Sequence, residues 1–315
     1  MHESSDRWLL LPVTDDRAWE FYKAAVANFW TVEEVDLAND RFDQLDENDR
    51  HSLKLVLAFF AAADGIVGEN LALNFIPQVQ RAEIRAFYTF QMAIETVHAE
   101  MYGKLIETYM PTAEERTETF QAINNIPAVK RLGDWAVRWT DADKASFGAR
   151  LVAFACVEGI MFAGPFCVIF HFKTRGILPG LCKSNEWIAR DETQHMEFAC
   201  FLYRERLLPA QRIADAEVHA IVSECVEAQK AFVREAVRDM PGLSTATMLQ
   251  YIEFVADVLL GLLGVPTLYG TSNPYSWMDM IGMPAKTNFF EGRVSEYQRG
   301  ADKTICDADM HSHDF

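Results

Sequence analysis

Cysteine is scarce in this sequence, and no two cysteines form a C-x-x-C pair. Six cysteines are spread over 315 residues, and Cys156, Cys167 and Cys200 stand alone inside apolar segments. This usage excludes a disulfide framework and favours small buried side chains in a reducing compartment. The N-terminus also lacks a basic region followed by an apolar stretch, so we expect no signal peptide and a cytoplasmic protein.

Positive charge is also in short supply. The chain has 29 Lys and Arg against 46 Asp and Glu, a formal net charge of −17, and no run rich in Lys or Arg. Proteins that bind nucleic acid carry a clustered excess of basic residues, so the sequence excludes nucleic acid as a partner. With 50% hydrophobic and 24% charged residues, the composition predicts a folded protein with a large core.

Linker-like segments are missing as well. No Gly/Ser-rich, Pro-rich or low-complexity stretch divides the chain, so we expect one domain over residues 1–299 with flexible ends. Residues 300–315 are polar and acidic and end in Phe315. We interpret them as a flexible tail that binds a partner through this aromatic residue, the alternative being a disordered terminus.

One apolar run approaches the length of a membrane span. Residues Leu151–Phe170 read LVAFACVEGIMFAGPFCVIF, and a spanning helix needs about 20 apolar residues. Glu158 lies near the centre of the run, where an ionised side chain costs at least about 2.5 kcal/mol. The usual basic flanks are absent. We therefore expect a helix buried in the protein core and no membrane partner.

Apolar residues recur at three- and four-residue spacings along most of the chain, and strand-like alternation is rare. This pattern predicts an all-α protein, a bundle of long helices. Breaker residues place the helices at Asp16–Trp30, Glu47–Phe75, Ala82–Tyr109, Ala128–Thr140, Ala145–Lys173, Ser184–Leu207, Ala210–Arg238 and Ser244–Leu263.

The most informative feature is a set of acidic residues inside apolar helices. An isolated buried carboxylate is costly and normally requires compensation. Two of the acids are followed three residues later by histidine, which places carboxylate and imidazole on the same helix face. Two such helices, with one carboxylate from each of two others, form the ligand set of dimetal-carboxylate bundles. The predicted metal ligands are Asp64, Glu95, His98, Glu158, Glu192 and His195.

Charge and ligand type narrow the choice of metal. Four ionised carboxylates are neutralised only when two divalent cations are bound. Oxygen ligands with two imidazoles suit iron or manganese better than zinc. Two iron ions are our first expectation, with two manganese ions or one of each as open alternatives.

Tyr102 follows His98 by four residues, on the same helix face and about 6 Å along the axis. A phenol in this position could be oxidised by the metal–oxygen chemistry. Phe162 and Phe166 stand one and two turns after Glu158, and Ile188 one turn before Glu192. We interpret these three as an apolar pocket around the phenol; the alternative is ordinary aromatic core packing.

Longer segments of the sequence resemble a known family. They lie in order across residues 19–299 and read FWTVEEVDL, HSLKLVLAFFAAADGIVGENL, FQMAIETVHAEMYGKLIETY, CVEGIMF, SNEWIARDETQH, FACFLY and KTNFFEGRV. The resemblance is to the small, radical-generating subunit of class I ribonucleotide reductase, with the eukaryotic and viral branch nearest.

This resemblance implies a ferritin-like fold and the six metal ligands already inferred. It further implies that Tyr102 becomes a stable radical after oxygen reacts with the metals. Asp191 and Trp30 match residues that carry the oxidising equivalent, and Tyr297 matches a relay to a large catalytic subunit that reduces ribonucleotides to deoxyribonucleotides. The family also implies a homodimer that binds the large subunit through the C-terminal tail.

Two features depart from the family pattern. Pro165 lies within the helix that carries Glu158, where it is expected to remove a backbone hydrogen bond and kink the helix, with an effect on Phe166. The tail ends CDADMHSHDF, whereas relatives often end soon after Asp-Ala-Asp, so the register of Phe315 on the partner stays open.

Two other functions use similar ligands. A related dimetal oxidase that binds its own organic substrate predicts a ligand cavity beside the metals and no role for the tail. An iron-storage protein predicts a hollow multi-subunit shell.

Overall fold

The structure is a computed structural model that describes residues 9–139 and 145–280. Tyr297, Phe315 and the whole tail 300–315 lie outside the described residues. Within those residues the protein is helical and contains no strand, so the all-α prediction is confirmed.

Twelve α-helices are labelled in sequence order. They are α1 Asp16–Ala27, α2 Glu47–Asn70, α3 Ile76–Gln78, α4 Ala82–Tyr109, α5 Ala113–Phe120, α6 Ala122–Asn125, α7 Pro127–Arg138, α8 Phe147–Cys156, α9 Phe162–Thr174, α10 Pro179–Phe201, α11 Asp215–Ala236 and α12 Thr245–Leu263. Three wider π turns extend or join them, at Leu71–Phe75, Val157–Met161 and Leu202–Arg206. Short 3₁₀ turns occupy Val32–Glu34, Phe42–Gln44, Pro209–Gln211 and Ser276–Met280.

Helix α4 has the bounds that the sequence predicted, but several other ends were wrong. Helix α1 ends at Ala27 instead of Trp30, because Thr31 and Glu34 form a capping box that starts a separate short turn. Helix α10 begins at Pro179 instead of Ser184. Proline fits the first helical position, and Asp40 accepts the N–H groups of Gly180 (2.8 Å) and Leu181 (2.9 Å).

Prolines also misled the prediction elsewhere. Pro77 does not end the helical segment at Phe75, because it occupies the first turn of α3, where its missing N–H is not needed. Helix α11 begins at Asp215 instead of Ala210, after the short turn that starts at Pro209. Helices α5 and α6 fill a stretch to which the sequence assigned none.

Pro165 was expected to kink the helix that carries Glu158. Pro165 lies inside α9, which runs through it to Thr174. The irregular backbone is the π turn Val157–Met161, which ends four residues before the proline. Pro165 has no N–H to give to the carbonyl of Met161, the last residue of this wider turn. Glu158 lies within it.

Three described helical segments are long and apolar enough to cross a membrane by length and composition: Glu47–Gln78, Phe147–Thr174 and Thr245–Leu263. The apolar window of Phe147–Thr174 is 100% buried inside the protein, so it has no surface to offer lipid. The prediction of a core helix over residues 151–170 is confirmed. The five cysteines in the described residues are also buried and free, as predicted.

Helices α2, α4, α8, α9 and α10 surround the centre of the molecule. Helix α4 packs against α1 and α2, while α10 packs against α8 and α9. Helices α11 and α12 cover the far side of the α8–α9 segment. The predicted ligands all project from the inner helices of this bundle.

Candidate metal centre

The six predicted ligands come from four helical segments. Asp64 lies on α2, Glu95 and His98 on α4, Glu158 in the π turn between α8 and α9, and Glu192 and His195 on α10. None of the six is more than 3% exposed. The apolar helices that the sequence identified therefore do carry their acids into the core.

Glu95 and Glu192 lie between the two histidines. His98 Nδ1 is 3.4 Å from Glu95 Oε2 and 2.9 Å from Glu192 Oε1. His195 Nδ1 is 3.0 Å from Glu95 Oε1 and 2.9 Å from Glu192 Oε2. Each of the two carboxylates thus turns one oxygen towards each imidazole, so each could offer one oxygen to each of two metal ions.

The remaining two acids flank this core. Ligand atoms of Glu95, Glu158, Glu192 and His195 all lie within 4.8 Å of one another, which places Glu158 at the His195 end. Asp64 lies close enough for Glu95 and His98 both to influence its pKa.

Several polar atoms of the cluster are buried without a hydrogen-bond partner in the described part of the protein. They are both carboxylate oxygens of Asp64, Glu95 Oε2, Glu158 Oε2, Glu192 Oε1 and His98 Nδ1. The short contact between His98 Nδ1 and Glu192 Oε1 lacks hydrogen-bond geometry. Leaving a buried polar atom unpaired costs about 1–3 kcal/mol, so these atoms fit a site built for cations. Their oxygen and imidazole chemistry suits iron or manganese.

The pKa values show how the metal-free cluster is charged. Burial, and then repulsion by neighbouring carboxylates, raises the pKa of Asp64 and of Glu158 well above the usual range. Burial would also raise the pKa of Glu192, but His98 and His195 outweigh it and hold that pKa well below the usual range.

The imidazoles shift in the opposite direction from ordinary buried histidines. Burial lowers the pKa of His195, yet Glu95 and Glu192 outweigh it and raise this pKa to about 9. Burial likewise lowers the pKa of His98, and Glu192 outweighs it, so the pKa lies well above its usual value. The raised pKa values of these imidazoles and of Asp64 and Glu158 favour their protonated forms, which offsets part of the negative charge of the cluster.

Gln91 is a neighbour that sequence reasoning missed. It lies one turn before Glu95 on α4 and is 1% exposed. Its Nε2 donates to Glu158 Oε1 at 2.9 Å and reaches Glu95 Oε1 at 3.5 Å. The signal in the sequence was an amide side chain on the ligand face of an apolar helix.

Tyr102 is completely buried beside this cluster. Its hydroxyl donates to Asn185 Oδ1 at 2.9 Å, and its ring stacks on Phe60 with 4.6 Å between centroids. Burial, followed by the charges of Asp64, Glu192 and Glu95, raises the pKa of Tyr102 well above its usual value. The phenol therefore keeps its proton at every physiological pH.

The proposed apolar pocket reaches Tyr102 through Phe60. The rings of Phe162 and Phe166 lie 5.4 Å and 4.9 Å from that of Phe60, and Ile188 is fully buried on α10. Phe60 and Asn185 were both missed. Phe60 lies one turn before Asp64, and Asn185 two turns before Glu192, so their spacing to a ligand was the available signal.

Trp30, Asp191 and His98 form a contiguous series. Trp30 is 2% exposed, and its Nε1 donates to Asp191 Oδ2 at 2.8 Å. The same oxygen lies 3.3 Å from His98 Nε2, and the Trp30 ring stacks on His98 at 5.9 Å. Arg190 binds the other oxygen of Asp191 at 3.1 Å. The structure thus brings these predicted residues together, whereas Tyr297 lies outside the described residues.

Cavities in the described residues argue against an organic substrate at the cluster. The cavity that touches Glu158 and Glu192 has a volume of about 20 Å³, whereas ligand pockets usually measure about 300–1,000 Å³. A cleft of about 610 Å³ is lined by residues such as Asp40, Arg50 and Tyr109 and by none of the six ligands. The cavity beside Glu158 and Glu192 is therefore far smaller than a dimetal oxidase needs for its own organic substrate.

Comparisons with known proteins agree with this geometry. The family model for the small chain of ribonucleotide reductase matches residues 7–274. The ribonucleoside-diphosphate reductase small chain of Nicotiana tabacum is 47% identical over 99% of this protein and 94% of its own length. The small chain of Yaba-like disease virus is 46% identical over 93% of this protein and 90% of its own length.

A solved structure is similar over much the same extent. The Rnr4 homodimer of Saccharomyces cerevisiae, a ribonucleotide reductase structure, has a TM-score of 0.80 at 31% identity, and the match covers 94% of this protein and 91% of that one. These relatives come from eukaryotes and a virus, the branch to which the sequence motifs pointed.

Proposed function

Because the protein belongs to the ribonucleotide reductase small-chain family, we propose that its six buried ligands bind two metal ions and that Tyr102 is the residue oxidised there. The protein acts as the small subunit of ribonucleoside-diphosphate reductase, an oxidoreductase that works with a large subunit. The reaction of the complex converts ribonucleotides to deoxyribonucleotides.

The observation that carries the proposal is the position of Glu95 and Glu192 between His98 and His195. Asp64 completes one end of this pair and Glu158 the other. Two iron ions, or manganese in place of one or both, would supply a strong oxidant on reaction with oxygen. The protein excludes water from the site and holds the ligands in place.

Tyr102 is suited to hold the oxidising equivalent. The ring is buried and stacks on Phe60, against which Phe162 and Phe166 pack, and Ile188 is buried as well. Water and reductants therefore have no direct access to an oxidised phenol. The hydrogen bond to Asn185 fixes the direction of the hydroxyl group.

The proposed route of the oxidising equivalent from the metal site toward the surface begins at His98. Asp191 joins the His98 imidazole to the Trp30 indole through one oxygen atom. We assign Asp191 and Trp30 to the transfer of the oxidising equivalent toward the surface. Tyr297 is proposed as the next relay, and residues 300–315 with Phe315 as the segment that binds the large subunit.

Assembly and location follow from the relatives and from the cysteines. The Saccharomyces cerevisiae structure is a homodimer, and we propose the same assembly for this protein. Free buried cysteines are typical of proteins in the reducing cytoplasm, where we place its activity.

The test is a reductase assay with the large subunit from the same source. Wild-type protein loaded with iron is expected to support deoxyribonucleotide formation, and Tyr102→Phe with equal iron content is expected to support none. Tyr88→Phe is the matched control, because Tyr88 is also fully buried on α4. Activity retained in Tyr102→Phe would contradict the proposal.

A further inference from the structure

Trp187 connects the buried Trp30 to the surface. It lies on α10, is partly exposed, and its ring centroid is 5.3 Å from that of Trp30. Trp30 itself is 2% exposed and stacks on His98 on its other side. The two indoles and the imidazole thus form a continuous series of rings from solvent to a predicted metal ligand.

The two indoles stand in opposite electrostatic surroundings. Trp30 donates its N–H to the carboxylate of Asp191. The ammonium group of Lys183 lies 5.1 Å from the ring centroid of Trp187. A cation is attracted to the face of a neutral aromatic ring, but it repels a ring that has lost an electron.

These charges determine which of the two indole rings is more easily oxidised. An electron vacancy shared by the two rings is stabilised at Trp30 by Asp191, whose charge is partly offset by Arg190 at 3.1 Å from its other oxygen. It is destabilised at Trp187 by Lys183. Glu186 lies 3.4 Å from Lys183 and moderates this effect, but the side chain of Lys183 is 56% exposed, whereas that of Asp191 is 6% exposed. The buried carboxylate is the less screened of the two charges.

The proposed function creates a need for an electron from outside. Reduction of oxygen to water takes four electrons. Two divalent metal ions held by the six ligands would supply two of these electrons, and Tyr102 would supply a third. The fourth has to cross the protein from a donor in solution.

We propose that Trp187 is the surface residue through which this electron enters, an inference that rests on the role proposed for Trp30. Oxidised Trp30 takes an electron from Trp187, and oxidised Trp187 takes one from a small one-electron reductant such as ferrous ion or ascorbate. No covalent bond forms or breaks. The indole proton of Trp30 stays on its nitrogen, hydrogen bonded to Asp191.

The same charges limit the loss of the oxidising equivalent from Trp30 to the protein surface. Because Lys183 disfavours oxidation of Trp187, the oxidising equivalent stays at Trp30 until a reductant is present at the surface. Trp187 therefore acts as an electron entry residue and Lys183 as the charge that tunes it.

The inference is tested by surface oxidation of the full-length protein as purified. Azide radicals generated by pulse radiolysis oxidise exposed indoles by one electron, and peptide mass mapping then counts stable oxidation at each tryptophan. Trp30 is too buried for direct attack, so its oxidation reports transfer through Trp187. We expect Trp187→Phe to lower oxidation at Trp30 severalfold.

Trp19→Phe is the matched control, since Trp19 is a partly exposed indole on α1 that packs on Tyr22. It is expected to leave oxidation at Trp30 unchanged. Lys183→Met keeps both indoles and is expected to shift stable oxidation from Trp30 toward Trp187. Equal oxidation of Trp30 in Trp187→Phe and wild type would overturn the inference.

This experiment does not depend on Tyr102. A failure of Trp187→Phe to protect Trp30 would remove the entry residue and leave the tyrosine proposal intact. If both Tyr102→Phe and Trp30→Phe kept full reductase activity, the proposed function would be wrong, whatever the mass mapping shows.

Discussion

The hydroxyl of Tyr102 donates a hydrogen bond to Asn185 Oδ1, with 2.9 Å between the two oxygens. Asn185 is itself held in place, because its Nδ2 donates to the Leu181 carbonyl at 2.9 Å. Both side chains are completely buried. This bond ties α4, which carries Glu95 and His98, to α10, which carries Glu192 and His195.

Replacing Asn185 with leucine is expected to destabilise the protein. The substitution leaves the buried Tyr102 hydroxyl without its partner, and an unsatisfied group of this kind costs about 1–3 kcal/mol. Urea unfolding at equal metal content measures the change in the free energy of unfolding. Asn124→Leu, at an exposed position, is the control. An Asn185→Leu protein as stable as the control would contradict this role of the bond.

The position of Glu95 and Glu192 between the histidines predicts an unequal loss of metal. Glu192→Ala removes an oxygen from both ends of the cluster, so both ions are expected to be lost. Glu158→Ala affects the His195 end alone, and one ion is expected to remain. Elemental analysis of protein folded to the same extent by circular dichroism gives the counts, with Glu186→Ala as the surface control. Equal counts in the two core variants would contradict the assignment of Glu192 as a bridge.

Metal binding is expected to release protons. In the metal-free cluster the pKa of His195 is about 9 and that of His98 lies well above its usual value. The His195 imidazole is therefore protonated at neutral pH, and the raised pKa of His98 favours its protonated form. Both imidazoles must be without that proton to bind metal. Asp64 and Glu158, whose pKa values are also raised, can add to the number of protons released.

These raised pKa values determine how metal affinity depends on pH. As the pH falls through the raised pKa values, protons compete with the metals and affinity decreases, whereas it increases toward about pH 9, the pKa of His195. Calorimetric titration in buffers of different ionisation enthalpy counts the protons. We expect about two to four for the pair of ions, and metal uptake without proton release would contradict the charge state described above.

Trp30 and Asp191 are expected to carry the oxidising equivalent toward the large subunit. Asp191→Ala removes the acceptor of the Trp30 N–H and the group beside His98 Nε2, and loss of such outer partners typically costs about 10- to 100-fold in activity. Trp30→Phe is expected to abolish deoxyribonucleotide formation with the large subunit. The metal count of Trp30→Phe should match that of wild type. Trp19→Phe should behave as wild type, and a fully active Trp30→Phe would contradict the route.

The six metal ligands could be predicted from the sequence because each is a polar residue in an apolar helix, where burial demands compensation. The i, i+3 spacing of Glu95 with His98 and of Glu192 with His195 then determined the face on which they lie. Tyr102 followed from the same periodicity. The local pattern along each helix was sufficient for these residues.

What the sequence could not supply depends on contacts between distant segments. Trp30 and Asp191 are 161 residues apart, and resemblance to the family, not the local pattern, brought them together. Asn185 and Phe60 gain their roles only when α10 and α2 pack on Tyr102. The π turn at Glu158 was also missed, since hydrophobic periodicity does not distinguish a π turn from a regular one.

The central claim is that metals bound by this cluster oxidise Tyr102, and electron paramagnetic resonance tests it most directly. Metal-free protein is loaded with ferrous iron, exposed to oxygen and frozen, with wild type, Tyr102→Phe and Tyr88→Phe compared at equal iron content. We expect a tyrosyl radical signal in wild type and in Tyr88→Phe and none in Tyr102→Phe. A fully loaded wild-type protein without a tyrosyl signal, or an unchanged signal in Tyr102→Phe, would contradict the account.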